Sequence, residues 1–140
     1  MNVSRRSLCV ALPVLLASLA ARGDDQSLSS FVTPFDKLTA KQNGPNTMRS
    51  ILNGKTESGA QMEVHETVLA AGSSPHPPHR HKHDELFLMS KGTLEVTIAG
   101  KTTVIGPGSA AYVHSGEEHG VKNTGSVEAQ YFVVATGTEA

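Results

Sequence analysis

The chain has no tryptophan, only two tyrosines and four phenylalanines, and a single cysteine in 140 residues. Set against 13 glycines and 7 prolines, that scarcity of aromatics favours many turns and short elements over long helices. Neither sign of charge dominates, with 12 basic and 13 acidic side chains, so no basic face argues for nucleic-acid binding. After residue 41 no window supports an amphipathic helix of ordinary length, and there is no internal repeat. The length is that of one domain. The apolar run Leu8–Ala21 contains Pro13 and is 14 residues long, short of the ~20 needed to cross a bilayer.

That run has another reading. A basic start at Met1–Arg6, the apolar stretch and small residues after it form the layout of a secretory signal peptide. Residues 1–23 are expected to be a cleaved signal, cut after Ala20, Ala21 or Gly23. Ser4-Arg5-Arg6-Ser7-Leu8 resembles the twin-arginine export signal, whose pathway moves folded proteins. The expected location is therefore periplasmic or secreted, with no membrane association once the signal is gone. Cleavage removes Cys9, so the mature chain has no disulfide and no thiolate nucleophile or ligand. It also removes Arg5 and Arg6, which leaves a mildly acidic domain.

Residues 24–47 are polar with few periodic signals and are predicted to be an arm or linker. From Met48 the pattern becomes short apolar runs between turn residues. The predicted strands are Met48–Leu52, Gln61–Ala70, Glu85–Ser90, Thr93–Ala99, Thr102–Ile105, Ala110–His114, Gly120–Asn123 and Ala129–Thr136, with a tail at 137–140. Thr93–Ala99 has a clean period of two. Short strands separated by turns predict an all-β, single-domain sandwich or barrel over 48–136. Such a barrel can leave a cavity.

The chain has seven histidines, and His76, His79, His81 and His83 fall within eight residues. On a strand, residues two apart share a face, so His79, His81, His83 and Glu85 can share one unless a bulge or loop turns His83 away. Imidazole with carboxylate suits Mn, Fe, Co, Ni, Cu or Zn rather than Ca or Mg. Taken alone, a His-rich tract is also the composition of a loose surface metal binder.

Downstream residues sharpen this. Gly72, His79, His81, Glu85 and Gly92 form one spaced set, and Gly116, His119 and Asn123 form a second. Together they resemble the two motifs of the cupin superfamily. Six residues rather than five precede the first histidine, and His114 stands where the second motif has proline. Gly100, Pro107 and Gly108 occupy the intervening strand–turn region, and the resemblance spans residues 48–136. It implies a jelly-roll barrel with one divalent metal held by His79, His81, Glu85 and His119. Four protein ligands around an octahedral ion leave two positions for a small molecule. Such a shell suits oxygen chemistry at Fe or Mn. Mn and Fe are favoured, because a barrel loaded before folded export can retain metals that bind weakly in the Irving–Williams order; Ni, Co, Cu and Zn are the alternatives.

His76 and His83 are expected at the rim or in solvent, with His83 able to exchange with His81 as ligand. His65 is expected to be a hydrogen-bonded sheet residue. Phe87, Met89, Tyr112 and Phe132 are expected in the core or cavity wall, and Asn123 in support of a turn. Candidate general bases are Glu85 when released, His83 and His114. The resemblance allows a metal-dependent enzyme, oxygenase-like or an isomerase or lyase, acting on a small organic molecule. It also allows a non-catalytic ligand- or metal-binding module. A homodimer is the family expectation.

Overall fold

In the computed structural model, residues 27–137 are described; the predicted signal peptide lies outside them. Nine strands follow one 3₁₀ turn at Phe35–Lys37. They are β1 (Ala40–Asn43), β2 (Asn46–Lys55), β3 (Gln61–Leu69), β4 (Asp84–Lys91), β5 (Leu94–Ile98), β6 (Lys101–Ile105), β7 (Ala110–Val113), β8 (His119–Lys122) and β9 (Ala129–Gly137). All the pairings are antiparallel. A six-stranded sheet in the order β1-β2-β3-β9-β4-β7 faces a three-stranded sheet in the order β6-β5-β8. This is the jelly-roll sandwich, all-β as the turn-rich composition demands.

Alternation places the core. Along β9, Ala129, Tyr131, Val133 and Ala135 are buried while the residues between them are not. The core also takes Leu69, Phe87, Met89, Leu94, Val96, Val113 and Val121 from five other strands, two of them in the second sheet. Phe87 and Met89 are core residues as expected. Tyr112 and Phe132 are not, because each is one residue out of phase with its buried neighbours Val113 and Val133. Phe132 stands opposite Glu66 and Tyr112 opposite Leu86, both on the outer face of the large sheet. Glu66 is fully buried there, held by Arg49 at 2.9 Å and by the Gln130 side-chain amide at 2.7 Å.

The segment assigned by its polarity to an arm ends in structure. Residues 40–47 contribute β1 and the start of β2, and they form a hairpin whose register runs from Ala40–Arg49 to Asn43–Asn46. Their strand character comes from backbone pairing, since β1 is exposed throughout. Upstream, the Leu28 amide donates to the Lys55 carbonyl at 2.7 Å, and the Arg49 guanidinium lies 4.9 Å from the centre of the Phe35 ring. The arm is therefore laid against β2.

Two turns explain glycine placement. Gly92, between β4 and β5, has φ +71°, and a Cβ there would stand 2.4 Å from the Glu128 carbonyl oxygen. Between β5 and β6 the chain reverses through Ala99 and Gly100, both at positive φ. Gly100 suits that two-residue hairpin turn, whereas Ala99, at φ 48°, is strained. Ala99→Gly is expected to raise unfolding stability by roughly 1 kcal/mol, read as a higher denaturant midpoint at unchanged slope.

Candidate metal centre

Three chain segments build the site. The loop before β4 carries His79 and His81, β4 carries Glu85, and the first residue of β8 is His119. The loop is anchored by a two-way backbone pair, in which the amide of His79 donates to the His119 carbonyl and the reverse, each at 3.0 Å. Further on, the Gly116 amide donates to the His81 carbonyl at 2.7 Å. Pro77 and Pro78 precede the pair and restrict the loop.

The imidazoles of His79, His81 and His119 gather around one point, with ring centres 4.7 to 5.1 Å apart. Two have fixed tautomers. His81 Nδ1 donates to the His83 carbonyl and His119 Nδ1 to the Glu117 carbonyl, each at 3.0 Å. Both rings thus turn Nε2 toward the centre, the outer-shell arrangement that orients metal-binding histidines. Glu85 closes the cluster: its Oε2 is 3.1 Å from His119 Nε2 and its Oε1 is 3.3 Å from His81 Nε2. Yet His81 Nε2 makes no hydrogen bond, and neither does His79 Nδ1, although both atoms are buried. Buried polar atoms without partners are uncommon and call for an explanation. A divalent transition metal accepting from nitrogen and carboxylate oxygen supplies one, and this donor set fits it.

His83 is not a solvent residue. Its ring stacks on His81 with centres 3.6 Å apart, and its Nε2 is 3.3 Å from Glu85 Oε1. Two triads can therefore gather ligand atoms: His79, His81 and His119, and separately His81, His83 and Glu85. His76 sits edge-on to His79 at 4.2 Å and is exposed at the rim. His114 is exposed and pairs with Glu117 at 3.2 Å. Asn123 is fully buried and ties Leu69, Val127 and Gly125 into the turn before β9.

Electrostatics prepare these groups for ligation. Burial pushes the His79 imidazole below its ordinary value, helped by His76, His119 and His81. Burial alone pushes the Glu85 carboxyl up, but the imidazoles of His81, His83 and His119 outweigh it and hold the carboxyl below its ordinary value. A neutral imidazole and an ionised carboxylate are the forms a metal binds.

The cluster borders a cavity of about 420 Å³, whose lining includes His79, Glu85 and His119. Phe87, Val121, Tyr131 and Val133 contribute apolar wall, and Lys41, Gln42 and Asn43 of β1 also line it. Burial pushes the Tyr131 phenol up, so it stays protonated. The wall also includes His65, which the sequence reading placed simply in the sheet. Along β3 it shares a side with the cavity residue Thr67.

A family model described as the cupin domain matches residues 65–135. The chain belongs to the cupin superfamily. Solved structures agree on the fold. An RmlC-like cupin from Shewanella frigidimarina superposes with a TM-score of 0.68 at 12% identity, covering 79% of this chain and 94% of that one. KdgF from Halomonas sp. gives 0.69 at 13% identity, covering 79% and 96%. The polyketide cyclase RemF from Streptomyces resistomycificus gives 0.66 at 20% identity, covering 77% and 80%. No curated protein matches the sequence of this cupin.

Proposed function

We propose that this chain is an exported, metal-dependent cupin enzyme. In this reading His79, His81, Glu85 and His119 hold one Mn or Fe ion, and the substrate is a small organic molecule in the adjoining cavity. The observation that carries the reading is the pair of buried, unbonded imidazole nitrogens, His81 Nε2 beside Glu85 and Nδ1 of His79, which with Glu85 lines that cavity. When bound, the ion supplies Lewis acidity or oxygen activation to a molecule that chelates it through two oxygens. The chain's own residues do the rest. His81 and His119 are held by their Nδ1–H bonds with Nε2 turned to the centre, Glu85 contributes the single negative charge, and the apolar wall excludes water and strengthens electrostatics near the cluster. Similar folds include a polyketide cyclase and a predicted oxalate decarboxylase, which supports an enzymatic use of the barrel. Leu88 and Tyr112, exposed on the outer face of the large sheet, offer an apolar surface to a second copy in a homodimer.

A second reading, a non-catalytic metal-handling module, is favoured by the overlapping His81–His83–Glu85 triad. Stoichiometry separates the two. Elemental analysis of protein exported natively and then purified should find about one Mn or Fe per chain, held through dialysis. Several loosely held ions would favour metal handling. Zn or Cu at one per chain would overturn the choice of metal.

A further inference from the structure

The large sheet carries a second pair of chemistry-bearing residues toward the same interior. β9 lies between β3 and β4, and its register places Glu63, Ala135 and Glu85 in one row. The next row is His65, Val133 and Phe87. Residues directly opposite in antiparallel pairs share a face, so Glu63 and His65 stand on the side of the sheet that bears Glu85. Two strand spacings, roughly 10 Å, separate the backbones of Glu63 and Glu85. The residue between them, Ala135, is small and buried.

His65 lines the cavity, and its Nδ1 is 3.2 Å from Glu63 Oε1. A carboxylate can only accept, so His65 Nδ1–H donates and Nε2 carries the lone pair. This is the orienting arrangement of a base whose second nitrogen faces a substrate. A bulge in β2 falls directly opposite, between Ser50, which pairs with His65, and Leu52; bulges of this kind re-aim side chains beside active sites. The other ionisable groups on the cavity wall are Lys41, His76, Tyr131 and the cluster itself.

We propose that His65, oriented by Glu63, is the proton-transfer residue of this cavity. The substrate it serves presents two adjacent oxygens, at least one of them an acidic O–H. The O–H bond breaks, the proton passes to His65 Nε2, and the electron pair stays on the substrate oxygen. Glu63 balances the resulting imidazolium. The proposal rests on the metal reading of the His79–Glu85–His119 end, because the ionised oxygen is the one that would chelate there.

The experiment uses 4-nitrocatechol, a chelating diol, with the natively loaded protein. Calorimetry in two buffers of different ionisation enthalpy counts the protons released on binding. His65→Gln should keep its metal, bind the probe roughly tenfold more weakly and release about one proton more per probe than wild type does. Equal proton counts in the two proteins would overturn the proposal. Independently, ¹⁵N shifts of His65 in wild type should report the Nδ1–H tautomer, with that preference weakened in Glu63→Gln; an Nε2–H tautomer in wild type would also overturn it. Metal-free wild type would sink the metal reading alone and leave the tautomer measurement to decide this one.

Discussion

Glu85→Gln is expected to empty the metal centre while leaving the barrel folded. The substitution keeps the side-chain volume and removes the only negative charge in the cluster. Three histidines remain, but a neutral amide oxygen is a poor ligand for the ions considered. Loss of an outer-shell partner alone costs roughly 10–100-fold in metal affinity, and loss of a ligand should exceed that. Metal per chain should fall to near zero after dialysis, with the circular dichroism of the fold unchanged. His81→Ala should do the same. His76→Ala should not, since His76 touches His79 from the rim. If His76→Ala removes the metal and His79→Ala leaves it, the ligand assignment is wrong. Affinity should rise with pH through the imidazole range, because protons compete for the ligand nitrogens. The downward shifts at His79 and Glu85 both extend binding toward lower pH.

The second large effect lies away from the cluster. Gly92→Ala is expected to destabilise the fold by roughly 2–5 kcal/mol, combining a left-handed backbone penalty with overpacking. The added methyl would meet backbone atoms on two sides, the Glu128 carbonyl oxygen at 2.4 Å and Ala129 Cα at 2.8 Å, and neither can rotate away. Gly108→Ala is the control. It has φ +82° with nothing within 4 Å, so it should lose only the backbone share, about 1–2 kcal/mol. Denaturant unfolding of both proteins checks this, and equal losses would show that the close approach at Gly92 is relieved by movement elsewhere. A total stability of ~5–15 kcal/mol makes the Gly92 loss large enough to lower yield.

Gly92 also illustrates what a sequence can carry. Its spacing from Glu85 marked it as part of a motif, and the structure supplies the reason, a strand end pressed against the Glu128 carbonyl. Where one face of a strand is apolar, as in Thr93–Ala99 and Ala129–Thr136, alternation was legible and the strands β5 and β9 lie there. The four residues proposed as ligands stood out because the donor chemistry restricts residue type at fixed spacing, and the structure places His79, His81 and His119 around one point with Glu85 beside His81 and His119. Other parts were hidden for physical reasons. β1 is exposed on both faces and so has no hydrophobic period. Tyr112 and Phe132 are apolar but face outward, where composition says nothing about side. Glu63 and His65 have the reverse difficulty: polar side chains turned inward look like a solvated face until the register across β9 is known.

The place of β9 has a consequence for biosynthesis. It is the last of the nine strands among the described residues, and it sits inside the six-stranded sheet. A growing chain that has not yet released this strand holds β3 and β4 with nothing to join them. Nor can it assemble the cluster early, because Glu85 and His119 are 34 residues apart. Such non-local pairing makes folding slow and dependent on a completed chain. An ion held by this cluster would therefore be captured only once β4 and β8 had both been made, in the compartment where the two first come together.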